Sequence, residues 1–190
     1  MTCINPDDVS RPRQPNSLFA RWRADIQGAT AIEFGLVALP FVMMLFGIIA
    51  VGLFFFTTFT LENAVEQASR VLRTGQAQQA SLTEAQFKAK VCEYVPSHID
   101  CAGKVKVNVL SFADTTNITA DELPSCLTGT NNLSGATQYN PGNASEVVLV
   151  WACYEWDLAS KLPFLNLGNM ASGARLIQAT SVFRTEPFDN

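Results

Sequence analysis

Histidine occurs once in the 190 residues, at His98, and charged side chains make up only 16% of the chain. No Gly-x-Ser-x-Gly elbow, phosphate-binding glycine loop or histidine pair is present, so the usual nucleophilic, nucleotide and zinc-hydrolase arrangements lack their parts. Basic residues number 13, are scattered, and leave a net charge of -4. A phosphate-binding surface needs clustered Lys and Arg, which excludes a nucleic-acid partner. The length suits one domain, or a small domain with an appendage, and rules out a large multi-domain enzyme. The most informative absence is local: residues 34–61 contain no Asp, Glu, Lys or Arg.

A bilayer core of roughly 30 Å takes about 20 apolar residues in helix, and residues 34–61 supply that with some to spare for tilt. A cleavable secretory signal has a much shorter apolar core, of about 7 to 15 residues. Arg11, Arg13, Arg21 and Arg23 precede the run, against Asp7, Asp8 and Asp25. The positive-inside tendency therefore keeps this end cytoplasmic and sends the bulk of the chain across. Cysteine use agrees with that direction. Cys92, Cys101, Cys126 and Cys153 all follow the run, an even set suited to an oxidising compartment, while Cys3 stands alone before it. Their wide spacing and the single histidine argue for structural disulfides over a metal site. Pairing Cys92 with Cys101 and Cys126 with Cys153 joins neighbouring expected elements, and the other two connectivities remain open.

The stretch Gly28-Ala29-Thr30-Ala31-Ile32-Glu33-Phe34 places a carboxylate at the start of the apolar run. An acid within a membrane helix costs on the order of 2–3 kcal/mol or more, so it has a partner or sits at the interface. Glycine, four residues, then Glu33-Phe34, after a short basic leader and before an unbroken apolar helix, resembles the prepilin-peptidase site of type IV pilins and pseudopilins. The wider pattern from Gly28 to Pro40, Gly-x-x-x-x-Glu-Phe-x-Leu-Val-x-x-Pro, is similar to the TadE family of tight-adherence (Flp, type IVb) pilus assembly proteins. A softer likeness lies in Phe183-Arg184-Thr185-Glu186-Pro187 near the other end. The resemblance implies cleavage between Gly28 and Ala29, and roles for Glu33, Phe34 and Pro40 in assembly. It implies as partners a prepilin peptidase, other pilins and pseudopilins, the pilus machinery and membrane lipid, with no cofactor. The implied location is the bacterial inner membrane, single-pass, with a cytoplasmic N-terminus and a periplasmic or extracellular head. On the residues alone, Pro40 removes a helix hydrogen bond and frees the carbonyl of Leu36, and Ala31 and Gly35 have the spacing of a close helix contact.

Past the run, Leu61, Val65, Ala68 and Val71 or Leu72 continue the helical period, with Glu66 and Arg70 spaced for a pair and Gly75 as the stop. One helix over 29–74 would be about 70 Å long. Ser81-Leu82-Thr83-Glu84 reads as a capping box opening a helix to about Tyr94. Residues 104–109 alternate as a half-buried strand, 146–156 form a longer one and 176–184 a third. Residues 114–145 read as a surface loop held by Cys126; the Asn-x-Ser/Thr triplets at Asn117, Asn132 and Asn143 are expected there from composition.

The resulting class is α+β: a long N-terminal transmembrane and stalk helix with a small antiparallel-sheet head, the pilin-like order. Its divisions are a basic leader 1–28, a transmembrane and stalk helix 29–75, and an extracytoplasmic head 76–190. Among Asp100, Asp121, Glu122, Glu155 and Asp157, the pair Glu155 and Asp157 shares one strand face; with no base to complete a site, the non-enzymatic reading leads. The alternative is a permanently anchored ligand-binding or sensory domain with the basic segment retained.

Overall fold

The computed structural model describes residues 28–97, 99–113, 125–161 and 167–188. The leader arginines, Cys3, His98, Asn117, Asp121 and Glu122 lie outside the described residues. The chain divides into two compact units, Met1–Phe46 and Gly47–Asn190.

Helix α1, Ala29–Arg73, carries Pro40 inside it and crosses the division between the units. It continues through Pro40 because a proline removes one ladder hydrogen bond and the turns on either side retain theirs. In the first unit most of its described side chains are exposed: Phe34 is 74% exposed, and Ile32, Leu36, Val37, Leu39, Phe41 and Met44 are exposed as well.

In the second unit α1 becomes one-sided. Ala50, Leu61, Ala64, Val65, Ala68 and Leu72 are buried, while Glu62, Asn63, Glu66 and Arg70 face out. That spacing of three and four residues makes the apolar stripe of an amphipathic helix. A one-turn helix α2, Gln76–Gln79, follows. Helix α3, Glu84–Glu93, contributes Phe87 and Val91 to the same core. Its capping box lies two residues beyond the Ser81 start expected from sequence. Thr83 is the N-cap and Gln86 the reciprocal partner, because Ser81 sits at φ 49° in the turn itself. Tyr94 closes α3 ahead of Pro96. Helix α4, Cys101–Lys104, is a single turn capped by Asp100. Lys104 therefore belongs to that turn, not to the strand.

Strands β1 (Val105–Phe112), β2 (Val147–Trp156) and β3 (Arg175–Arg184) form an antiparallel sheet in the order β1-β2-β3. The register pairs Val105 with Tyr154 and Phe112 with Val147, then Val147 with Arg184 and Trp156 with Arg175. Alternation puts Val105, Val107, Val109, Val148, Val150, Ala152, Ile177, Ala179 and Phe183 in one core with the α1 stripe. A 3-10 turn, Asp157–Lys161, follows β2.

The described part of the 114–145 loop protects the outer edge of β1. Val109 donates to the Gln138 carbonyl and Asn140 to the Val109 carbonyl, both at 2.8 Å, and the buried Asn108 side chain accepts from the Gln138 amide. Pairing of this kind removes an exposed strand edge, a common site of unwanted association. The disulfides are Cys92–Cys101 and Cys126–Cys153. The first ties α3 to α4, and the second fastens the loop to β2.

Candidate processing and assembly segment

Gly28 is the last residue before α1, and Ala29 is the first helical residue. Gly28 is exposed, and a Cβ placed on it would meet nothing within 4 Å. Packing among the described residues does not require glycine there. Gly35 and Gly52 are equally unconstrained. Glu33, one helical turn after Ala29, is exposed and has no hydrogen-bond or ion-pair partner among the described residues. Phe34 and Pro40 are exposed on the same helix. Glu33, Phe34 and Pro40 lie within the first four turns of α1.

Seventeen large apolar side chains between Ile32 and Phe59 are exposed. Monomeric soluble proteins rarely leave contiguous apolar patches beyond a few hundred Å². Such a helix needs lipid or other protein around it, and α1 is long and apolar enough to cross a membrane.

The far end of α1 is fastened in a way the sequence did not announce. The Glu186 amide donates to the Arg73 carbonyl at 2.8 Å, satisfying one of the last helix carbonyls. The Arg73 guanidinium lies 5.2 Å from the Phe183 ring centre. Gly75 turns the chain at φ 73°, and the Phe188 ring lies directly against it. Glu66, expected to pair with Arg70, instead accepts from the Ser181 hydroxyl at 2.7 Å and faces Arg73 at 3.5 Å. Thr185 is buried, donates to the Asn143 carbonyl at 2.7 Å and accepts from the Glu146 amide. The segment Phe183 to Glu186 thus closes the head over the end of the helix. Its only sequence signal was the short motif itself.

Glu155 and Asp157 do not form a carboxylate pair. Asp157 leaves the strand for the 3-10 turn and pairs with Lys104, whose ammonium is held above its ordinary pKa by that hydrogen bond. Glu155 accepts from Ser172 at 2.7 Å. Lys88 donates to the Ala102 carbonyl at 2.7 Å, and partial burial with Lys106 nearby lowers its pKa. Glu146 accepts from the side chain and main chain of Asn143, both at 3.0 Å, and these bonds hold its carboxyl below the usual range. Burial raises the phenols of Tyr139 and Tyr154. Among the described residues no group of three or more His, Cys, Asp or Glu is arranged to hold a metal ion.

A long N-terminal apolar helix followed by a small three-stranded antiparallel sheet is the α+β layout of a pilin. Residues 28–70 match the family model described as TadE-like protein, the family that the Gly28-to-Pro40 pattern resembles. The match covers less than a quarter of the chain and begins at Gly28. Comparisons with curated proteins and with solved structures give no match.

Proposed function

We propose that this chain is a minor pilin or pseudopilin that takes part in assembly of a tight-adherence (Flp) type IVb pilus, after a prepilin peptidase removes residues 1–28. The supporting observation is a coincidence of positions. The TadE-like match and α1 both start at the Gly28–Ala29 junction, and the exposed Glu33, without a partner among the described residues, stands one turn beyond it.

Hydrolysis of the Gly28–Ala29 peptide bond leaves a carboxylate on Gly28 and an ammonium on Ala29. A glycine with open space on its Cβ side lets a protease approach the backbone closely. The new ammonium and the Glu33 carboxylate of a neighbouring subunit neutralise one another in the apolar layer, where either alone is costly. A subunit one turn out of register leaves both unpaired, so the pair sets the axial position. The apolar surface of α1 first contacts lipid and then other subunits of the fibre, with head-to-tail contacts building an open helical assembly.

In this reading 1–28 is a cytoplasmic leader, 29–75 the membrane and stalk helix, and 76–190 a head on the oxidising side of the inner membrane. Its partners are the prepilin peptidase, other pilins and the assembly machinery. The test is pilus output in the sheared surface fraction for Glu33→Ala and Glu33→Gln. Both variants insert normally and both reduce output; normal output from both would reduce Glu33 to a marker of the membrane interface.

A further inference from the structure

Where α1 enters the second unit, a crevice of about 110 Å³ is lined by Val51, Phe54, Leu167 and Arg175. Three of the four are apolar. The fourth is a cation whose guanidinium lies 5.7 Å from the Phe54 ring centre and donates to the Leu167 carbonyl at 3.3 Å. No carboxylate pairs with Arg175 among the described residues. A partly buried guanidinium beside apolar walls gains most from an anion carried on an apolar molecule.

The volume is well short of the roughly 300–1,000 Å³ of a soluble small-molecule site. It suits part of a chain that continues outside the protein. The setting is also membranous: Phe55, Phe56 and Phe59, at this level of α1, are each more than half exposed. Charged residues on this face begin only at Glu62. By residue count, Phe54 follows Phe34 by about the 20 residues that a hydrocarbon core takes in helix. Trp156, buried in the core, has its ring centre 5.6 Å from that of Phe54 and so lies beside the crevice wall.

We propose that this crevice holds an anionic phospholipid of the outer leaflet of the inner membrane, with the acyl chain along Val51, Phe54 and Leu167 and the phosphate on Arg175. The proposal rests on the reading of α1 as a membrane helix. The bound lipid seats the lower rim of the head at the headgroup layer and fixes how deeply the subunit sits before it leaves the bilayer.

The test uses the full chain with Trp22→Phe and Trp151→Phe, so that Trp156 is the only indole, in nanodiscs containing brominated phosphatidylglycerol or brominated phosphatidylcholine. Resistance to alkaline extraction is scored first in matching vesicles. The expected result is an apparent preference of about five-fold for the anionic lipid, the worth of one basic residue at such a surface. Arg175→Gln abolishes it and Arg175→Lys retains it. Equal quenching by the two lipids, no quenching, or a preference that survives Arg175→Gln in a chain that inserts overturns the lipid site and leaves the membrane reading standing. A chain that does not insert overturns both.

Discussion

The main-chain amide of Glu186 donates to the carbonyl of Arg73 at 2.8 Å, so the C-terminal segment closes the end of the helix that begins at Ala29. Two residues on, Gly75 turns the chain at φ 73° under the Phe188 ring, where a Cβ would lie 2.5 Å from the ring. Gly75→Ala therefore carries a left-handed penalty of about 1–2 kcal/mol together with a steric one. In denaturant unfolding, adding Phe188→Ala recovers only the steric part. Full recovery in the double variant would mean that the backbone conformation at 75 costs nothing.

The Ser69 hydroxyl is fully buried on α1 and lacks a partner among the described residues. Ser69→Ala removes an unsatisfied polar group and raises helix propensity, so stability rises by about 1 kcal/mol. Thermal unfolding should shift upward by about 3 °C. A downward shift would show that the hydroxyl is satisfied in solution.

Acid sensitivity follows from Glu146, whose carboxyl is held below its ordinary value by the Asn143 side chain and main chain. A depressed carboxyl contributes stability above its unfolded pKa and loses that contribution as pH falls through the folded one. Unfolding measured from pH 7 down to about 3 should show the wild-type head losing stability below about pH 4.5. Glu146→Gln is less stable at neutral pH and flatter across that window. Parallel curves would exclude Glu146 as a source of the acid slope.

The two disulfides close loops of different length, with sequence separations of 9 for Cys92–Cys101 and 27 for Cys126–Cys153. Chain-entropy arithmetic gives about 2.7 and about 3.6 kcal/mol respectively. Replacing Cys126 and Cys153 by Ala is therefore the more costly change, and it also releases the loop that covers β1. Chemical denaturation of the two double variants ranks them; the reverse order would show that native packing outweighs loop length.

The helix and the sheet were legible because each has its own period. The uncharged run at 34–61 and the stripe from Leu61 to Leu72 read as one helix. The valines at 105, 107 and 109 read as one strand face. Local chemistry was less decisive. Two overlapping Ser/Thr-x-x-Glu/Gln frames begin at Ser81 and Thr83, and only the turn geometry at Ser81 chooses between them. The partner of Glu66 lies on β3, more than a hundred residues away, so spacing along the helix pointed to Arg70 instead. The Tyr139 bridge to Val109 and the exposure of Arg175 to an apolar crevice are tertiary facts with no periodic trace. Within 28–40, the exposure of Glu33, Phe34 and Pro40 follows from the apolar helix that carries them.

The most direct measurement is intact-mass and N-terminal analysis of the full chain from membranes with and without an active prepilin peptidase. The expected result is a chain beginning at Ala29 only when the peptidase is present, and a Gly28→Val variant that remains uncut. Residues 1–28 retained under both conditions would contradict the processed-subunit account.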